Sequence, residues 1–222
     1  MKFAVVVFPG SNCDHDAYHA AKHVLGQDAE FVWHKETSLG GADAVILPGG
    51  FAHGDYLRTG AIARFSPIMA AVRSFADSGG PVLGICNGFQ VLCEAGLLPG
   101  ALLANTSLRF TCRQVDLEVV NASTAWTNAC EVGDVLSVPA KHTTGRYYAS
   151  DPVLDEMEAN GQVVLKYAAG HNFNGSVRDI AGVSNKAGNV VGLMPHPEHA
   201  VDALTGSADG LKLFRSAVAV PA

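Results

Sequence analysis

As far as Gly96, apolar residues come in short, nearly unbroken runs, and most runs are followed by a stretch with helical spacing. Lys2 to Phe8 (KFAVVVF) reads as a buried strand and Asp14 to Leu25 as a helix stopped by Gly26. Ala29 to His34 is a second strand, and Ala42 to Leu47 a third, ended by Pro48-Gly49-Gly50. A long loop runs to about Gly60, and a helix then runs to about Ser78. Gly79-Gly80-Pro81 precedes a fourth strand, Val82 to Ile85, and the helix Asn87 to Ala95. Strands without polar alternation are covered on both faces. This half therefore predicts an α/β architecture, a mostly parallel sheet with helices on both faces.

After about Val115 the pattern changes. Val115 to Val120 (VDLEVV) alternates polar and apolar, as a half-exposed strand does. Val135 to Pro139, Val163 to Tyr167, Ile180 to Asn185 and Val190 to Met194 are further short strands. Val153 to Asn160 is a helix, and an amphipathic helix, Ser207 to Val218, comes last. This predicts an antiparallel extension of the same sheet, with residues 1–222 as a single domain.

Composition narrows the function classes. The chain has 222 residues, 48% hydrophobic and 16% charged, with a net charge of −6, so no basic footprint points to nucleic acid or an acidic membrane. Five cysteines at irregular spacing are not a disulfide framework, and a reducing cytoplasmic setting is expected. No run approaches the roughly 20 apolar residues of a membrane span.

The strongest chemical signal is Pro81-Val82-Leu83-Gly84-Ile85-Cys86-Asn87-Gly88-Phe89-Gln90. A strand, Gly-x-Cys-x-Gly and a helix form the context of a nucleophile elbow. The glycines remove side chains that would clash in the sharp turn, and the helix N-terminus favours a thiolate. The Asn87 N–H is then free to bind an oxyanion. The plainer reading is a buried cysteine packed between glycines. A cysteine nucleophile needs a base held by a third group. Met194-Pro195-His196-Pro197-Glu198-His199 follows a strand, at the end where open parallel sheets bind ligands. Pro197 pushes His196 into an extended conformation, so Glu198 lies on the same side as His196. A metal reading of His196, Glu198 and His199 is set aside because no further ligand cluster stands out. Leu47-Pro48-Gly49-Gly50-Phe51 offers a backbone N–H, at Gly50 or Phe51, as a second oxyanion donor. It lacks the ending of a phosphate loop, so no ATP site is expected in this chain.

Loop, Cys and His-x-Glu in this order resemble the class I glutamine amidotransferases. The resemblance implies a flavodoxin-like sheet and a Cys86–His196–Glu198 triad that hydrolyses glutamine to glutamate and ammonia through a thioester. It also implies substrate contact by Gln90, with Arg109 and Phe110 lining the glutamine pocket. Phe8-Pro-Gly-Ser-Asn-Cys-Asp14, Pro48-Gly-Gly-Phe-Ala-His-Gly-Asp-Tyr-Leu-Arg-Thr-Gly-Ala-Ile-Ala63, Leu83-Gly-Ile-Cys-Asn-Gly-Phe-Gln-Val-Leu92 and Asn174-Gly175-Ser176 resemble one branch of the family. Members of that branch serve de novo purine synthesis. The branch implies a partner synthetase that uses ATP and Mg to amidinate formylglycinamide ribonucleotide, sometimes joined by a small bridging subunit, with no cofactor in this chain. Asp55, Tyr56 and Arg58, in the long loop, are expected to couple to that partner. The departures are His142-Thr143-Thr144-Gly145-Arg146-Tyr147 for His-Gly-Glu-Gly-Arg-Tyr, Asn172-Phe173-Asn174 for Asn-Pro-Asn, and His199 for the usual arginine. The rivals are a glutaminase of another pathway, a cysteine hydrolase on the same sheet, and a non-catalytic binding module. His15, His19 and His23 read as a solvated helix face, Cys93 as core, and Cys13 has no catalytic role.

Overall fold

The computed structural model describes residues 1–219. Eleven strands are formed: β1 (Lys2–Val7), β2 (Asp28–Trp33), β3 (Ala44–Leu47), β4 (Val82–Ile85), β5 (Ala101–Ala104), β6 (Thr111–Val119), β7 (Val135–His142), β8 (Thr144–Tyr148), β9 (Val163–Tyr167), β10 (Ile180–Ser184) and β11 (Val190–Leu193). Nine of them make one sheet in the order β2-β1-β3-β4-β11-β10-β9-β6-β7. From β2 to β11 every pairing is parallel, and from β11 to β7 every pairing is antiparallel. The fold is thus the mostly parallel α/β sheet with an antiparallel extension that the hydrophobic pattern predicts. The inner parallel strands are buried, from Phe3 to Val6 in β1 and Ala44 to Leu47 in β3, while edge strand β2 leaves Phe31 and Trp33 exposed. In β6, Val115, Leu117 and Val119 are buried while Glu118 faces solvent, which is the signature of a one-sided sheet.

The helices are α1 (Asp14–His19, continued by a wider π-helical turn to Val24), α2 (Ile68–Asp77), α3 (Asn87–Glu94), α4 (Asp151–Ala159) and α5 (Leu211–Ala219). Two helix boundaries differ from the sequence expectation by more than two residues. The helix expected from Gly60 begins only at Ile68, because Pro67 forces Ser66 into extended backbone (φ −60°, ψ 139°). The last helix begins at Leu211 rather than Ser207, because Ser207 pairs back with Asp202. Strands β5 and β8 form a separate two-stranded ribbon that the sequence pattern does not predict. Strand β5 (ALLA) is short and mostly exposed, and β8 (TGRYY) offers only Gly145 and Tyr147 as buried alternate positions.

The antiparallel half curls back over the parallel half. The Pro139 carbonyl of β7, the far edge strand, accepts the His196 N–H at 2.8 Å. A proline is tolerated there because β7 pairs on one side only.

Candidate active site

Cys86 sits between β4 and α3 with φ 50° and ψ −102°, a conformation that costs a β-carbon-bearing residue about 1–3 kcal/mol. The surroundings hold it there. A β-carbon on Gly88 would collide with the Leu47 carbonyl oxygen, and one on Gly84 would lie 2.8 Å from the Gly88 carbonyl oxygen. Only glycine fits at these two positions of the strand–turn–helix junction, so the elbow is written in them.

His196 follows β11, the parallel neighbour of β4, and is 1% exposed. Its Nδ1 lies 2.6 Å from Glu198 Oε1, and Glu198 is 3% exposed. Its Nε2 is buried without a partner, as is Glu198 Oε2. Burial opposes charge on this imidazole, but Glu198, Cys86 and Cys13 outweigh it and hold its pKa well above the ordinary value. The ring is packed against the Leu47–Phe51 loop, where a β-carbon on Gly49 would stand 2.6 Å from its Cε1.

That loop supplies one of the two expected backbone donors. The Phe51 N–H donates to the Gly10 carbonyl at 2.8 Å and is not available to an oxyanion. This corrects the expectation that left Phe51 open, and Gly50 is the candidate that remains. The Phe51 side chain, half exposed, lines the cavity instead. The Asn87 N–H is at the first turn of α3, where no intrahelical acceptor exists.

The cavity in front of Cys86 encloses about 610 Å³ counting its open mouth, room for an amino acid. Cys86, His196, Gly50, Phe51, Asp55, Gln90 and Phe110 line it, with Asn12, Cys13, Thr59 and the Lys141–Thr144 segment. Gln90 is a brace. Its amide donates to the Thr144 carbonyl and accepts from Asn87 Nδ2 at 3.0 Å. Asn87 in turn accepts the Ala52 N–H at 3.1 Å. Arg109 does not reach the cavity, for its exposed side chain lies outside and its carbonyl accepts from Asn105. Its neighbour Phe110 takes the place at the wall.

The three coupling candidates part ways. Asp55 faces the cavity, where burial raises its pKa against the Asn87 amide. Tyr56 is 74% exposed. Arg58 clamps the loop to α3 through two 2.7 Å bonds to Glu94. His53, Asp55 and Leu57 all have φ between 54° and 68°.

Sequence reasoning missed Cys13 and the β7–β8 turn. Cys13 is buried, and although burial opposes ionisation, His196 and His199 lower its pKa. Its signal was position, since it lies just past the carboxyl end of a parallel strand. His142, 4% exposed, pairs Nδ1 with Asn105 Oδ1 at 3.0 Å. Burial, then the charge on His196, pushes its pKa down to about 3. No local signal brings Lys141–Thr144 to Cys86, because the curl of the sheet does so. The Lys141 carbonyl is 4.0 Å from Cys86 Sγ.

A cysteine on a strained elbow, with a carboxylate-held imidazole at the next strand end, is the arrangement that the resemblance to the glutamine amidotransferases implies. The chain belongs to the CobB/CobQ-like glutamine amidotransferase domain family, whose model matches residues 1–219. It is 60% identical to the phosphoribosylformylglycinamidine synthase subunit PurQ of Salinibacter ruber, over 97% of this chain and 94% of the relative. A chain of the PurLQS structure from Thermotoga maritima superposes with a TM-score of 0.89 at 47% identity, covering 98% of this chain and 97% of that one. A putative GMP synthase subunit from Thermoplasma acidophilum, 17% identical and covered to 92% by 98% of this chain, shares the fold at a TM-score of 0.64.

Proposed function

We propose that this chain is the glutamine-hydrolysing subunit of a phosphoribosylformylglycinamidine synthase, with Cys86 as nucleophile, His196 as base and Glu198 as the group that orients it. The observation that carries the reading is the buried His196. One nitrogen is 2.6 Å from Glu198 and the other is unpartnered beside the cavity that Cys86 lines. The 60% identity to the Salinibacter subunit supports the pathway.

Cys86 Sγ attacks the carboxamide carbon of glutamine, and His196 holds the thiol proton that it will give to the leaving ammonia. The raised pKa of His196 favours that charged intermediate form. The Asn87 and Gly50 N–H groups stabilise the tetrahedral oxyanion, each worth about 10²–10³ in rate. Water then resolves the thioester to glutamate, with His196 now taking the proton. Phe110, Thr59 and the β7–β8 turn form the wall that recognises the rest of the substrate.

Ammonia passes to a partner synthetase, in an assembly that in the family sometimes includes a small bridging subunit. ATP and Mg act on that partner, and no cofactor is assigned to this chain. The run of left-handed residues at His53, Asp55 and Leu57 supports the loop as the coupling element, because strain of this kind persists at switches. Tyr56 is its outward contact and Arg58 its anchor. The continuous nine-stranded sheet supports one domain over residues 1–222. Among the described residues no helix is long and apolar enough to cross a membrane, and a cytoplasmic location is part of the proposal.

The test is glutamate release by the purified chain, alone and with the synthetase and its nucleotide. Weak release alone and strong stimulation by the partner is the expected result. Release indifferent to that partner would move the chain to another pathway, and none at all from folded protein would sink the triad.

A further inference from the structure

Behind the elbow, Cys13 and His199, which the hydrolysis does not use, join His196 and Glu198 in a second constellation. One ligand atom from each of Cys13, His196, Glu198 and His199 lies within 4.8 Å of all the others, and three of these residues are buried. The His199 ring stacks on that of His196 with centroids 5.0 Å apart. Thiolate, two imidazoles and a carboxylate are the donor types zinc takes. Tetrahedral zinc, with bonds of about 2.0–2.3 Å, sets its donors about 3–4 Å apart. The four groups therefore need only a small contraction.

Two further observations point to a ligand. Glu198 Oε2 is buried and unpartnered, a demand that the pairing of Glu198 with His196 through Oε1 leaves unmet. His199 Nε2 pairs with Asp16 Oδ2 at 3.0 Å, the carboxylate support that metal-ligating histidines commonly have. Lys141 Nζ, 3.5 Å from His199 Nε2, brings one positive charge to the rim, against the carboxylates of Glu198 and Asp16 and the Cys13 thiol.

We propose that Cys13, His196, Glu198 and His199 form a zinc site that, when filled, holds the glutaminase off by tying up the imidazole of its base and the carboxylate that orients it. Binding displaces the Cys13 thiol proton and any imidazolium proton to solvent. The inhibitory consequence rests on His196 being the base. The metal site itself does not.

The test uses the full-length Cys86→Ala chain, stripped of metal and titrated with zinc chloride against a chromophoric chelator, with cobalt chloride in parallel. One equivalent of zinc and a thiolate-to-cobalt charge-transfer band are expected even though the nucleophile is gone. Adding Cys13→Ser should remove the band, and either Cys13→Ser or His199→Arg should weaken zinc at least about 10–100-fold. Circular dichroism reports whether each variant is folded, so two independent ligand deletions carry the result. No tight zinc in Cys86→Ala, or unchanged affinity in both ligand variants, would overturn the site. A zinc-loaded wild-type chain that still releases glutamate with its synthetase would overturn the inhibition. Zinc binding with no glutamate release from the metal-free wild-type chain would instead sink the triad reading and leave the site standing.

Discussion

The two halves of the sheet contribute different things to one cavity. The parallel half supplies chemistry from the ends of buried strands. Cys86 follows β4 and His196 follows β11, each fixed by neighbours that tolerate no added atom. The antiparallel half supplies a wall. Phe110 precedes β6 and Lys141 to Thr144 turn from β7 into β8, reaching the site only because that half curls over. Reactive groups demand sub-ångström placement, which strand ends in a closed core provide, while a substrate wall needs shape more than rigidity. Substitutions in the first region should therefore act on kcat, and those in the second on KM.

The largest expected effect is that of Cys86→Ala, which removes the proposed nucleophile and should lower glutamate release by more than about 10³-fold with an unchanged circular dichroism spectrum. Residual turnover near the wild-type rate would break the comparison at its centre. Glu198→Gln keeps the shape but loses the carboxylate that holds His196, and a fall of about 10²–10⁴ in kcat with a similar KM is expected. Phe110→Ala should raise KM by up to about tenfold through lost apolar contact, with kcat nearly kept. A kcat loss there would show that the wall also positions the reacting atoms. Smallest is Arg109→Ala, for which both constants should stay within about twofold, since the side chain is exposed and outside the cavity.

A pH experiment sharpens the same contrast through stability. His142 binds a proton near pH 6.5 when unfolded but only near pH 3 when folded. Between those values the unfolded chain carries more protons, so this residue makes stability fall as the pH drops through that window. His142→Gln should flatten the acid side of a plot of Tm against pH between about 6 and 4. An unaltered slope would mean that other groups set it.

The same division explains what could be read from the sequence. Strands β1, β4, β9 and β11 and helix α3 were legible because buried runs and their glycine stops are local signals. The elbow at Cys86 and the pairing of His196 with Glu198 also depend on residues a few positions apart. Ribbon β5–β8 was not legible, and neither was the wall, because both depend on how distant strands curl. The overlong second helix shows a local rule underused, for Pro67 marks the break at Ser66. Phe51 and Arg109 failed for another reason. Whether a backbone N–H is already bonded, or a side chain turns inward, is decided by Gly10 and Asn105, far away or unmarked in the motif.

Among the described residues, strand β11 follows every other strand in the chain, yet it fills the middle of the sheet between β4 and β10. A ribosome therefore exposes a chain whose sheet stays split, with two raw edges, until residues 190–193 have emerged. Those open edges are a standing invitation to aggregation until β11 closes the gap between them. The arrangement also acts as a proofreading clock. Until β11 and the residues after it are made, Cys86 stands without His196 and Glu198, the two groups that the proposed chemistry requires.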